Sequence, residues 1–212
     1  MSFVWQVLGV FGLMVGLLLL YLRYHAPIRH FSPANRVTLA RAALVALLMG
    51  FIGHPQQTFQ AGWVLIGLAT TTLLLDGLDG WLARFTRTVS DFGARFDMET
   101  DALLIAVLAI LLWQMQKAGW WVLGSGALRY LFVGAACVWP WLRRPLPYSR
   151  RRQTVCVLQT VLLIVGLSPV VSADWATGLA GLGLASLIAS FTVDTLWLAR
   201  HAQLPTAGGP IP

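Results

Sequence analysis

The sequence predicts an all-α integral membrane protein: a six-helix transmembrane bundle plus an extra N-terminal transmembrane helix. Three observations lead there. Only 11% of the 212 residues are charged and 58% are hydrophobic, with a mean hydropathy of +0.72, whereas soluble domains carry about a quarter charged residues. Apolar stretches of roughly 20 residues, the length that crosses a bilayer, recur along the chain. The cations between those stretches gather on one side, as the positive-inside bias requires.

Residues 2–22 contain no charge, and Arg23 closes the run. The run lacks the basic start and small-residue cleavage site of a signal peptide, so residues 1–24 read as a retained helix. Residues 25–36 mix Arg29 and Arg36 with His25, His30 and Phe31, a composition suited to lying along the membrane surface. Six further spans follow at 37–54, 61–84, 92–115, 119–142, 153–172 and 175–199, forming one domain over 37–200. Connectors as short as 55–60 and 116–118 make neighbouring helices antiparallel. The tail, 201–212, is rich in Pro and Gly and is expected to be disordered.

With seven spans, thirteen arginines (23, 29, 36, 41, 84, 87, 95, 143, 144, 150, 151, 152 and 200) fall on one side. The opposite side holds only Lys117, and Arg129 lies mid-span. The expectation is a multi-pass protein of the inner (cytoplasmic) membrane, its amino terminus outside and its carboxyl terminus cytoplasmic. The net charge of +7 then anchors the chain to anionic lipid and calls for no nucleic acid. Cys137 and Cys156 sit in apolar stretches, where two buried thiols are expected, and no CxxC or HExxH occurs.

Six of the eight acidic residues lie within 76–101. Asp76 and Asp79, three apart, end one span; Asp97 and Asp101, four apart, begin the next. Those spacings put each pair on one helical face, and an antiparallel link lets the two faces meet at the cytoplasmic boundary. Four such carboxylates repel one another unless compensated. Arg84, Arg87 and Arg95 offer part of the compensation, but ionisable groups are costly in this setting and are usually functional. An all-oxygen donor set with no His or Cys nearby in sequence suits Mg²⁺ or Mn²⁺. Asp91 reads as a helix cap and Glu99 lies off the metal face. Gly77, Gly80 and Gly93 fit close backbone approach to a ligand or a facing helix.

The run Asp79-Gly80-x₂-Ala83-Arg84-x₈-Gly93-x₃-Asp97-x₃-Asp101, with Asp76 three before it, resembles the signature of the CDP-alcohol phosphatidyltransferase family. A second likeness, Pro33-x-Asn35-x₂-Thr38-x₂-Arg41, is similar to the stretch opening the first core helix in the phosphatidylglycerophosphate synthase-like branch. The resemblance implies two divalent ions held by Asp76, Asp79 and Asp97, with Asp101 completing the site and acting as general base. It also implies that Gly80 and Arg84 contact the CDP portion, with Asn35, Thr38 and Asp76 nearby. The implied reaction transfers a phosphatidyl group from CDP-diacylglycerol to an alcohol acceptor, releasing CMP, in an enzyme that tends to form homodimers.

Acceptor recognition falls outside the signature. Arg129, Arg151 and Arg152 are the candidates, since arginine binds phosphate bidentately, and glycerol 3-phosphate and phosphatidylglycerol are the acceptors to consider. The chain departs from the likeness here, with Arg151-Arg152-Gln153-Thr154 where a Gly-Lys-x-Lys-Thr-like element is expected. Asp194 reads as a cap or a partner for Arg200, and Gly178, Gly181 and Gly183 as a small-residue packing face. Two other functions share parts of the pattern. An intramembrane prenyltransferase would place paired Asp motifs on distant helices of a longer chain, and a cation transporter would hold its carboxylates near the midplane.

Overall fold

The computed structural model describes residues 33–85, 91–143 and 149–201, with seven positions between Trp5 and Gly16. Side chains at 33–36, 79–85, 91, 92, 94, 95 and 143 are outside that description, as are most of the expected N-terminal helix at 1–24, the interfacial segment 25–32 and the tail from 202. Seven α-helices follow in order: α1 (Pro33–Met49), α2 (Pro55–Gln60), α3 (Gly62–Phe85), α4 (Asp91–Gln114), α5 (Gly124–Val138), α6 (Arg150–Leu167) and α7 (Ala173–His201). Short 3₁₀ turns at Trp120–Leu123 and Pro140–Arg143 flank α5, and the described residues contain no strand.

Among the described residues two stretches, Trp120–Val138 and Ala173–His201, are long and apolar enough to cross a membrane, and Val37–Met49 of α1 and Gly62–Leu78 of α3 are shorter apolar stretches. The charges explain why other helices fall short by composition. Asp91, Arg95, Asp97, Glu99 and Asp101 crowd the first three turns of α4, and Arg150, Arg151 and Arg152 open α6.

Helix α4 packs against α1, α5 and α6, while α6 packs against α7. The buried apolar core gathers Val45 and Leu48 of α1, Leu65 and Ala69 of α3, Leu104, Leu108 and Leu112 of α4, Leu163 and Leu167 of α6, and Ala176 and Ala180 of α7. On α4 they begin at Leu104, one turn beyond Asp101, and run toward the far end of the helix. That end of the bundle is therefore an apolar plug, and the acidic residues lie toward the other.

The first core helix is shorter than the span expected at 37–54. It stops at Met49, and residues 55–60, expected as a connector, form α2. Gly53 takes φ +85°, which glycine adopts without steric cost. Pro55 opens α2 and holds His54 out of the helical region, at φ −122° and ψ 66°. The exposed carbonyls of this turn find side-chain donors. Gln114 Nε2 donates to Phe51 O (2.9 Å) and to Thr58 Oγ1 (2.7 Å), while its Oε1 accepts from the Gly53 amide at 2.7 Å. Gln6 Nε2, from the amino-terminal stretch, donates to Ile52 O at 3.0 Å. That bond brings Gln6 to the plugged end.

Lys117, expected as the single external cation, is buried at that same end with 7% exposure. Its Nζ donates to Ser168 O (2.5 Å), Val171 O (2.9 Å) and Gly166 O (3.4 Å). These carbonyls lie in the last turn of α6 and just beyond it, where a cation also complements the negative pole of the helix. Burial pushes the Lys117 ammonium below the ordinary lysine range. Deeper in the bundle, fully buried Gln159 of α6 donates through Nε2 to Ser125 Oγ of α5 at 2.9 Å. Its Oε1 rests on Gly183 of α7, where an added Cβ would lie 2.2 Å away. Gly183 is thus a seat for an amide, while the Cβ position of Gly178 meets nothing within 4 Å.

Lys117→Met is expected to lower unfolding stability by about 2–4 kcal/mol, because buried carbonyls lose charged donors. Thermal melts in detergent measure this, and activity per folded molecule should stay at the unsubstituted level.

Candidate active site

The α1–α3–α4 contact gathers acidic groups of two helices around one arginine. Asp76 of α3 and Asp97 and Asp101 of α4 each present an oxygen, and these oxygens lie within 4.8 Å of one another. Asp97 and Asp101 share a face because four residues make about one helical turn. Arg41 of α1, with no exposed surface, reaches into the cluster. Its guanidinium bonds Asp76 at 2.9 Å and pairs with both Asp97 and Asp101. The cluster is sunk into the bundle: Arg41, Asp76, Asp97 and Asp101 lie roughly 9–15 Å along their helices from Pro33, Phe85 and Asp91.

The expected quartet is thus described as a trio. Asp79, Gly80 and Arg84 lie on the helical backbone of α3 and Asn35 on that of α1, but their side chains are outside the described residues. Thr38 is buried one turn before Arg41 on α1. Arg41 itself had been counted among the cytoplasmic anchors. The signal that marks it is a single cation within an otherwise apolar stretch, 37–53, where burial of a charge demands a partner.

The donor set fits a divalent ion. The three carboxylates outnumber the one guanidinium, and every donor is a hard oxygen, as Mg²⁺ and Mn²⁺ prefer. Exposure of the three aspartate side chains, between 24% and 38%, leaves the cluster open to a ligand on one side. Gly77, beside Asp76, also faces open space.

The acceptor candidates lie elsewhere. Glu99 is about 200° round α4 from Asp97 and pairs with Arg129 of α5, which also contacts Met98 Sδ at 3.2 Å. The mid-span arginine therefore has a carboxylate partner on the α5 side of α4. Arg151 donates to Ser190 O (2.8 Å) and Ser190 Oγ (3.0 Å) and pairs with Asp194 at 2.5 Å, joining α6 to α7. Asp194 is accordingly the partner of Arg151, in place of the expected Arg200. A cation in the first turn of α6 opposes the helix dipole, and Asp194 offsets it. Arg152, next to it, is half-buried.

The described residues thus form an all-helical bundle, with two helices long and apolar enough to cross a membrane, around a sunken carboxylate cluster that could hold a metal ion. Comparison with known proteins gives the family: a family model described as CDP-alcohol phosphatidyltransferase matches residues 31–205. The chain belongs to the CDP-alcohol phosphatidyltransferase family, a family of phosphotransferases. It is 31% identical over 105 residues to the CDP-diacylglycerol–glycerol-3-phosphate 3-phosphatidyltransferase of Bacillus subtilis, covering 43% of this chain and 53% of that protein. It is 33% identical over 73 residues to CDP-diacylglycerol–serine O-phosphatidyltransferases from two strains of Helicobacter pylori, covering 34% of this chain and 29% of each relative. The chain thus spans about half the length of the first relative and less of the others. No solved structure matches the chain.

The α6–α7 clamp is open to a double-mutant cycle. Arg151→Met and Asp194→Asn should each lower stability, with a coupling of about 1 kcal/mol between them. Thermal melts of the two single variants and the double variant measure it.

Proposed function

We propose that this protein transfers a phosphatidyl group from CDP-diacylglycerol to an alcohol, releasing CMP, with its site on the cytoplasmic face of the inner membrane. The observation that carries the reading is the Asp76, Asp97 and Asp101 cluster, held by one buried arginine within the segment matched by the family model. In this reading Asp76, Asp79 and Asp97 hold two divalent ions, Mg²⁺ or Mn²⁺, and Asp101 completes the set. Bound there, the ions would supply positive charge against a diphosphate and its developing negative charge.

The chain's own groups do the rest. Gly80 and Arg84 hold the CDP portion, with Asn35 and Thr38 beside them. Asp101 accepts the proton of the acceptor hydroxyl. The hydroxyl oxygen then bonds the phosphorus that carries the lipid, the bond from that phosphorus to the CMP oxygen breaks, and CMP leaves. Asp101 suits the role because it lies one turn beyond Asp97 on the same face. The sidedness rests on the arginines, and pairing with a second copy through α7 rests on the open small-residue face at Gly178.

The relatives' names specify glycerol 3-phosphate and serine as acceptors. Only the first carries a phosphate, so the acceptor class here is a small or lipid-borne alcohol. Arg129, Arg151 and Arg152 are the groups for a phosphate if it has one. The prenyltransferase and transporter readings gain no specific support: the carboxylates form one compact site, and a guanidinium bonded to all three obstructs a cation path.

CMP release from CDP-diacylglycerol, measured with a panel of alcohols, should require Mg²⁺ or Mn²⁺ and stop on chelation. Turnover in metal-free buffer would refute the reading.

Asp101→Asn should lose about 10²- to 10⁴-fold in rate while retaining most binding of CDP-diacylglycerol. Asp97→Asn should weaken both. Near-normal turnover in Asp101→Asn would assign the base to another group.

A further inference from the structure

We propose that Arg41 is a built-in counter-cation of the carboxylate site, competing with the divalent ion for Asp76, Asp97 and Asp101 until a diphosphate ligand draws the guanidinium away. The inference rests on the phosphotransfer reading above and assigns a positioning role to a residue outside the aspartate signature.

The geometry carries it. Arg41 comes from α1, whereas the carboxylates come from α3 and α4. Its guanidinium bonds the Oδ1 atom of each of the three aspartates, from a position with no exposed surface. A planar fork with five donors can bridge several carboxylates at once, which a lysine ammonium does less well. A divalent ion uses the same kind of oxygen at about 2.1 Å. In a cluster this tight the ion and the guanidinium would stand only a few ångströms apart.

Two cations at that separation in a poorly screened interior repel enough to change an affinity by at least about tenfold. Linkage then fixes the sign. A group that stabilises the ion-free cluster more than the ion-bound one weakens ion binding by the same factor. An arriving diphosphate supplies new oxygens for the displaced guanidinium, so ion and CDP-linked substrate should each strengthen the other's binding. Arg41 would thereby keep the site assembled between turnovers and make tight metal binding conditional on substrate.

The test uses the full chain in detergent, titrated with Mn²⁺ and followed by electron paramagnetic resonance, with and without CDP-diacylglycerol. Without substrate, Arg41→Gln should bind Mn²⁺ at least about tenfold tighter than the unsubstituted protein. Arg41→Lys, which keeps the charge but bridges less well, should gain by a smaller factor. In chelator the melting temperature of Arg41→Gln should fall, and Mn²⁺ should restore it. CDP-diacylglycerol should tighten Mn²⁺ binding strongly in the unsubstituted protein and much less in Arg41→Gln.

Unchanged or weaker Mn²⁺ binding in the substituted proteins overturns the proposal. Should Arg41→Gln fail to accumulate, Arg41→Lys decides alone: tighter binding supports the competition, and equal or weaker binding refutes it. If the unsubstituted protein neither releases CMP nor responds to CDP-diacylglycerol, the phosphotransfer reading fails, and the substrate-free affinities still judge Arg41.

Discussion

Carboxylates within 4.8 Å of one another in a poorly solvated interior repel strongly, and the helices that carry them would drift apart without a cation between them. Arg41 is that cation in the structure. Because it projects from α1 while its partners belong to α3 and α4, the electrostatic requirement of the site is also a packing requirement on three helices. The surrounding elements serve this constraint. Apolar residues of the same helices close one end of the bundle, so the polar cluster can sit well inside the helix ends and still open to a ligand on one side.

The plugged end follows different physics. There the problem is orphaned carbonyls: helix ends and turns in an apolar setting have no water to satisfy them. Three long side chains meet that need. Gln114 closes the turn after α1, Gln6 adds a donor from the amino-terminal stretch, and Lys117 gathers the carbonyls after α6.

Much of the fold was legible because its signals are local. Span length, charge distribution and the spacings of Asp76, Asp97 and Asp101 each act within one or two helices, and the trio does meet. The end of α1 was also written locally, in Gly50, Gly53 and Pro55, but a hydropathy reading passes over such punctuation. The partners of the cations were not legible in the same way. Arg41 pairs with residues 35 to 60 positions on, Lys117 with carbonyls about 50 positions on, and Arg151 with Asp194 across a helical hairpin. Counting positive charges by side assigns all of these to one bland role, because the rule counts charge and ignores what it touches. Arg129, which alone stood mid-span, was recognisable as needing a partner, though not that Glu99 would be it.

The seat that Gly183 provides for Gln159 has a bearing on motion. A lipid environment squeezes helices together but sets their relative heights only weakly, so two smooth apolar helices can slide past each other along their axes. A buried amide lodged between a serine hydroxyl on one neighbour and a bare Cα on another acts as a detent. Sliding α6 by a single turn would carry Gln159 off both at once, breaking the bond from its Nε2 to Ser125 and driving its Oε1 from the one space that admits it. Helix α6 also begins with Arg150, Arg151 and Arg152, so whatever fixes its height fixes theirs.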